Sequence, residues 1–186
     1  MCFFEGKVRD LGEVDQQLLA DLKDQVDDID SAVWDAENEN KPNKFVKFET
    51  TRHIVFQFPD NILSHRRSTY GPLWDEWAPV IQPVIEQVTQ PYQYKQGKTA
   101  RIMLARLAAG GQIDLHVDRH PAADVPHKIH VPLQTNPKVE FWEDEAVFYL
   151  EPGRSYEVNN KIKHGGANRS DEDRVHLIFD YYNAAA

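Results

Sequence analysis

The sequence predicts a mainly β fold of the α+β kind, in which N-terminal helices flank a double-stranded β-helix, or jelly-roll (cupin-like), core. Three observations carry this. Between Leu11 and Val33 apolar residues recur three or four apart, the period of a helix with one buried face. From Thr99 onward short β-type runs succeed one another: "RIMLARLA", "IDLHVD", "HKIHVPL", "KVEFW", "AVFYLE", "RSYEVN" and "RVHLIFDYY", separated by Gly, Pro and Asn. No repeat, low-complexity tract or composition shift divides the 186 residues. The expected organisation is one domain over residues 1–186, with residues 1–98 a helical and β support region and residues 99–183 the core that carries the site.

Taken in order, Val14, Leu18, Leu22, Val26, Ile29 and Val33 form the stripe of the first expected helix, whose other face is acidic. "NENKPNK" (38–44) reads as a polar loop. Within residues 45–58, Ile54, Phe56 and Phe58 alternate as in a strand. Residues 59–72 read as a long irregular loop carrying His65, Arg66 and Arg67. Trp74, Trp77, Ile81, Val84, Ile85 and Val88 then recur at helical spacing, and Pro79 and Pro83 inside that run predict a break or kink. Both tryptophans are expected in the core.

Composition excludes several function classes. A formal net charge of -9 without clustered Lys and Arg argues against a nucleic-acid partner. The acid between Asp10 and Glu39 is a solvated helix face. The single cysteine, Cys2, makes no internal disulfide and no Cys-rich zinc site. No secretion-signal pattern or membrane-spanning run occurs, so a cytoplasmic location is expected and any metal must be held by His, Asp or Glu.

The chemistry starts at "QIDLHVDRHP" (112–121). On a strand, residues two apart share a face, so His116 and Asp118 are expected to project together. An imidazole and a carboxylate side by side offer two ligands of a facial triad, in which two His and one carboxylate hold non-haem Fe(II). About one His-x-Asp arises by chance in a chain of this composition, so a polar strand end is the competing reading. The third ligand must come from another strand, and His127, His130, His164 and His176 are the candidates. His164 stands out: two glycines follow it, and ten residues later Arg174 opens the last run, so a tight hairpin would bring the two side by side. A buried Arg can pair bidentately with the far carboxylate of a dicarboxylate co-substrate; the competing role is a salt bridge within "SDEDR". Lys128 and His130 share a strand face. His130 is a second candidate contact for that carboxylate, while Lys128 fits a lining residue or a strand edge equally well.

Residues 101–182 resemble the aspartyl/asparaginyl β-hydroxylase-like branch of the Fe(II)- and 2-oxoglutarate-dependent oxygenases, which includes free L-proline hydroxylases. The matching pieces are "HVD" (116–118), "KIHVPL" (128–133), "VNNKIKHGGANRS" (158–170) and "RVHLIFD" (174–180). The resemblance implies that His116, Asp118 and His164 are the iron ligands and that Arg174 and His130 bind 2-oxoglutarate. Lys128 stands where the family commonly has Arg. Asp118 stands where the vertebrate aspartyl hydroxylases have Gly, which favours the complete triad of the proline-hydroxylating members. The implied reaction hydroxylates a free amino acid or an amino-acid side chain in a peptide, with molecular oxygen and with 2-oxoglutarate converted to succinate.

For the substrate, Arg66 and Arg67 beside His65 are lid candidates, with Arg106 and Arg119 as further ones. Trp142, Phe148 and Tyr149 are candidates for a dry wall. His53, His65, His120, His127 and His176 are set aside, His176 being the nearest to inclusion because it shares the face of Arg174. Two rival readings stand: a cupin-type metalloenzyme, an isomerase or a dioxygenase that uses no 2-oxoglutarate, and a non-catalytic β-sandwich binding module. The pattern leaves oligomeric state open.

Overall fold

The computed structural model describes residues 6–42 and 50–185. Cys2 and the expected strand residues 45–49 lie outside them. Eleven strands and three α-helices are found among the described residues, and the strands form two antiparallel sheets. In chain order they are β1 (Val8–Glu13), α1 (Gln16–Asp27), α2 (Ser31–Asn40), β2 (Thr51–Asn61), β3 (Ser64–Tyr70), α3 (Trp74–Thr89), β4 (Gly97–Leu107), β5 (Gln112–His116), β6 (His127–Gln134), β7 (Val139–Glu143), β8 (Ala146–Phe148), β9 (Arg154–Val158), β10 (His164–Asn168) and β11 (Arg174–Asn183). The large sheet has the order β1-β9-β6-β11-β4-β2-β3 and the small one β5-β10-β7-β8. This is a jelly-roll core with flanking helices, as the run of short strands predicts.

The N-terminal half departs from the sequence reading in three places. The single helix expected over 11–33 is a strand followed by two helices. Asp15 caps α1, its side chain accepting from the Gln17 and Leu18 amides, and Asp30 caps α2 by accepting from Ala32. Short acidic side chains that satisfy free amides start helices, each cap contributing about 1 kcal/mol, so the two Asp residues divide what the apolar stripe joins. The break turns Val33 outward and Trp34 inward. Asn38 to Asn40 accordingly belong to α2 rather than to a loop. Residues 59–72 are a β-hairpin: β2 runs on to Asn61 and β3 pairs back along it. The third difference is α3, which runs unbroken through Pro79 and Pro83. Pro79 lies on its exposed side, while Trp77, Ile81, Val84, Ile85 and Val88 hold the buried side and with it the helix.

The core lies between the helices and one face of the large sheet. Ile102 and Leu104 of β4, Ile129 and Val131 of β6, and Val175, Leu177 and Phe179 of β11 pack with Leu22, Val26, Trp77 and Ile81. A fully buried side chain of this size contributes about 1.5–3 kcal/mol. Strand alternation aims the intervening residues at the other face, towards the small sheet, and that is where the polar chemistry collects. No helix among the described residues is long and apolar enough to cross a membrane.

Candidate active site

Between the two sheets lies a cavity of about 380 Å³. The large sheet contributes His53, Arg101, Met103, Lys128, His130, Arg174, His176 and Ile178; the small sheet and its loops contribute Ile113, His116, Asp118, Phe141 and His164.

His116 ends β5, His164 opens β10, and the two are register partners across that pair. Two features allow so close a pairing. At Gly165 an added Cβ would sit 2.6 Å from the Ile113 carbonyl oxygen of β5, and at Gly166 one would sit 2.5 Å from the Glu140 carbonyl oxygen of β7. The paired glycines after His164 are thus what lets β10 slot between its neighbours. Asp118 lies beyond the end of β5, not on it as the alternation predicts, and its amide donates to the Asn160 carbonyl at 3.3 Å. The irregular segment still delivers the carboxylate: ligand atoms of His116, Asp118 and His164 all lie within 4.8 Å of one another.

The ring tautomers follow from the hydrogen bonds. His116 Nδ1–H donates to the Asp114 carbonyl at 2.8 Å, and His164 Nδ1–H donates to the Ile162 carbonyl at 3.1 Å. A carbonyl only accepts, so each Nδ1 carries the proton and each Nε2 lone pair is left for the centre. Burial holds the His164 imidazole down at about 4, hence neutral. Burial pushes the Asp118 carboxyl up, but the ammonium of Lys128, with the Arg101 guanidinium, outweighs this and keeps it well below the usual carboxylate range. Two imidazoles with Nε2 turned inward and one ionised carboxylate are a donor set that suits a borderline divalent metal.

Lys128 touches the triad itself. Its Nζ lies 2.9 Å from Asp118 Oδ2 and 4.0 Å from Asp180 Oδ1, leaving Asp118 Oδ1 as the atom 3.7 Å from His116 Nε2. Lys128 therefore reads as a lining residue, not a strand edge, and it orients the carboxylate.

Arg174 is 7% exposed, and no acceptor among the described residues meets its Nε and NH1. Burial lowers its guanidinium to about 10, still cationic at neutral pH. The hairpin expected to join it to His164 is absent: β10 pairs with β5 and β7, while β11 pairs with β4 and β6. The connection crosses between sheets, held by the Asn168 amide donating to the Ala108 and Glu172 carbonyls, so both residues line the cavity from opposite walls. Asp173, from the loop that was the competing partner for Arg174, instead pairs with Arg106. His130 Nδ1 lies 3.3 Å from His176 Nδ1, and burial keeps both rings neutral.

Other expectations are redistributed. Arg66 and Arg67 stand exposed on β3 and do not line the cavity, so no lid carries them. Arg119 lies exposed at the mouth. Trp142, Phe148 and Tyr149 are off the cavity wall; the apolar wall is Phe141, Leu150, Met103 and Ile178, a parity shift of one along β7. Three of the histidines set aside, His53, His120 and His176, do line the cavity, whereas His127 is bound up with Glu157 and Tyr94. Arg101 is absent from the sequence reading altogether. The alternation Arg101, Met103, Ala105 against Ile102, Leu104 contains the signal, because the second set is the one that packs on the helices.

The sequence matches the model of a family described as aspartyl/asparaginyl beta-hydroxylase over residues 75–184, more than half of the chain. No curated protein matches it. Among solved structures it is similar to AviO1 from Streptomyces viridochromogenes Tue57, with a TM-score of 0.60 at 12% identity over 100% of this chain and 93% of that one. An oxidoreductase of the 2OG-Fe(II) oxygenase family from Burkholderia pseudomallei gives 0.55 at 14% identity, over 92% and 94%. The viral collagen prolyl hydroxylase vCPH from Paramecium Bursaria Chlorella virus-1 gives 0.54 at 11% identity, over 95% of each. At such identities these likenesses establish the jelly-roll fold, and it is the family match that assigns the chemistry. The chain belongs to the aspartyl/asparaginyl beta-hydroxylase family and is an oxygenase.

Proposed function

We propose that the protein is an Fe(II)- and 2-oxoglutarate-dependent dioxygenase that hydroxylates a free amino acid or an amino-acid side chain in a peptide. His116, Asp118 and His164 hold the metal, and Arg174 with His130 holds the co-substrate. The observation that carries this reading is Arg174: a buried cation with unpartnered guanidinium nitrogens in the same cavity as a His-Asp-His cluster. An uncompensated buried charge is costly, and a carboxylate ligand relieves it. A cupin-type enzyme without 2-oxoglutarate would have no use for that cation. Two structural neighbours support the reading, one a 2OG complex of a prolyl hydroxylase and one, HygX from Streptomyces hygroscopicus, bound to nickel, 2-oxoglutarate and hygromycin B.

Bound iron supplies the activation of oxygen at the expense of 2-oxoglutarate, which leaves as succinate and carbon dioxide while one oxygen atom enters the product as hydroxyl. The chain's own part is to prepare the place. Nδ1–H donation fixes both imidazoles with Nε2 inward. Lys128 occupies one oxygen of Asp118 and leaves the other for the centre. Arg174 offers a two-pronged donor, and Phe141, Leu150, Met103 and Ile178 exclude water around it.

The test needs no substrate. Under anaerobic conditions, Fe(II) and then 2-oxoglutarate are added to metal-free protein, and the visible charge-transfer band of a chelated 2-oxo acid is followed. The band is expected in the wild type and weakened in both Asp118→Ala and Arg174→Ala. No band from folded, iron-bearing protein would overturn the reading.

A further inference from the structure

The large sheet turns a second cation into the cavity, well away from Arg174. Across β4, β11 and β6, Arg101, Asp180 and Lys128 are register partners in one row. Arg174 sits six residues from Asp180 along β11, about 20 Å at the rise of an extended strand. One five-carbon dicarboxylate cannot reach both rows.

Arg101 is 6% exposed and its guanidinium lies 5.1 Å from the Phe58 ring centroid. Its Nε is 3.4 Å from Asp180 Oδ2, an ion pair not aligned as a hydrogen bond, and neither Nε nor either Asp180 oxygen has a hydrogen-bond partner among the described residues. Lys128 is committed to Asp118. Four cations are buried among the described residues: Lys41 meets His53, Lys128 pairs with Asp118, Arg174 lies six residues along β11 from this row, and Arg101 stands beside Asp180 without a hydrogen bond from its Nε. Phe58, Ile62, His120 and the exposed Arg119 line the same cavity.

The geometry points to Arg101 as the residue that fixes an anionic group of the primary substrate, a carboxylate, with Phe58 packed near the guanidinium and Arg119 drawing the anion in. This rests on the oxygenase reading and narrows its substrate class: the group hydroxylated belongs to a molecule that brings one negative charge to the Arg101 end. The planar fork of a guanidinium suits a planar two-oxygen acceptor.

The test is calorimetric binding to anaerobic protein saturated with Fe(II) and 2-oxoglutarate. The probes are matched pairs differing by one charge: the free L-amino acids against their carboxamides, and acetyl-aspartate amide against acetyl-asparagine amide. At least one anionic probe is expected to bind tenfold or more tighter than its neutral counterpart. Arg101→Gln should abolish that preference while changing 2-oxoglutarate affinity less than twofold. Arg101→Lys, which keeps the charge opposite Asp180 if the Gln variant does not fold, should retain part of the preference. Equal binding within every pair, or no binding of any anionic probe by protein that takes up 2-oxoglutarate, would overturn the assignment. So would loss of 2-oxoglutarate itself in Arg101→Gln. Failure of the wild type to bind 2-oxoglutarate at all would overturn the oxygenase reading beneath it.

Discussion

The two faces of the large sheet are made by the same strands and could hardly differ more. On β11, Val175, Leu177, Phe179 and Tyr181 pack towards the helices, while Arg174, His176 and Ile178 line the cavity. The helix side is a continuous apolar layer. On the cavity side the buried apolar cluster shrinks to Met103, Ala105 and Ile178, with polar atoms that have no partner around it. One face supplies the free energy of folding, and it allows the other to keep buried charges that do not stabilise the protein by themselves.

The sharpest way to break this comparison is to shave each face in turn. Phe179→Ala should lower unfolding free energy by about 3–5 kcal/mol in urea titration, whereas Ile178→Ala, one residue along and facing open space, should cost about 2 kcal/mol or less. Equal losses would mean that the cavity face carries as much of the stability. The converse substitution, Arg174→Ala, should weaken 2-oxoglutarate binding by about a hundredfold in anaerobic titration, since it removes a charged pair, while stability moves by no more than about 1 kcal/mol. Gly165→Ala probes the small sheet instead. A Cβ there meets the β5 backbone, so His116 and His164 must separate, and turnover should fall by about a hundredfold with the fold retained by circular dichroism.

The smallest effect is an acid limb. Burial is the main cause that holds His53 near 3, against its ordinary 6.5, and it holds His130 and His176 down as well. The unfolded chain takes up protons below 6.5 that the folded protein refuses until about 3, so stability should fall as pH falls through that window. His53→Gln should flatten part of the slope in the melting temperature. An unchanged slope would remove His53 from the account.

Much of this was legible in advance, and the reasons are local. The seven runs after Thr99 announce their strands because buried strands write a short-period apolar pattern, and His116, Asp118, His164 and Arg174 do reach one cavity, although Asp118 does so from beyond β5 and Arg174 from the opposite sheet instead of through a hairpin. The N-terminal half was harder. An apolar stripe does not register that Asp15 and Asp30 each satisfy free amides, and β1, edge-paired and half-exposed, carries no alternation to read. Arg66 and Arg67 were misplaced because the polar residues of β3 look like loop when only one neighbouring strand exists to pair with them. Arg101 was within reach of the alternation along β4, but which of its two faces looks into the cavity is settled only by the packing of Ile102 and Leu104 on the helices.

The position of β11 has a consequence for how the protein is made. It is the middle strand of the seven, flanked by β6 and β4, and every other strand of that sheet precedes it in the chain. While a ribosome is still adding residues 174–183, β4 with β2 and β3 waits on one side and β6 with β9 on the other, two half-sheets with unpaired edges turned towards a gap. Arg174, the residue proposed to hold the co-substrate, arrives on the strand that closes it. The oxygen-handling site and the finished sheet therefore come into being in the same step, so a half-made chain has neither.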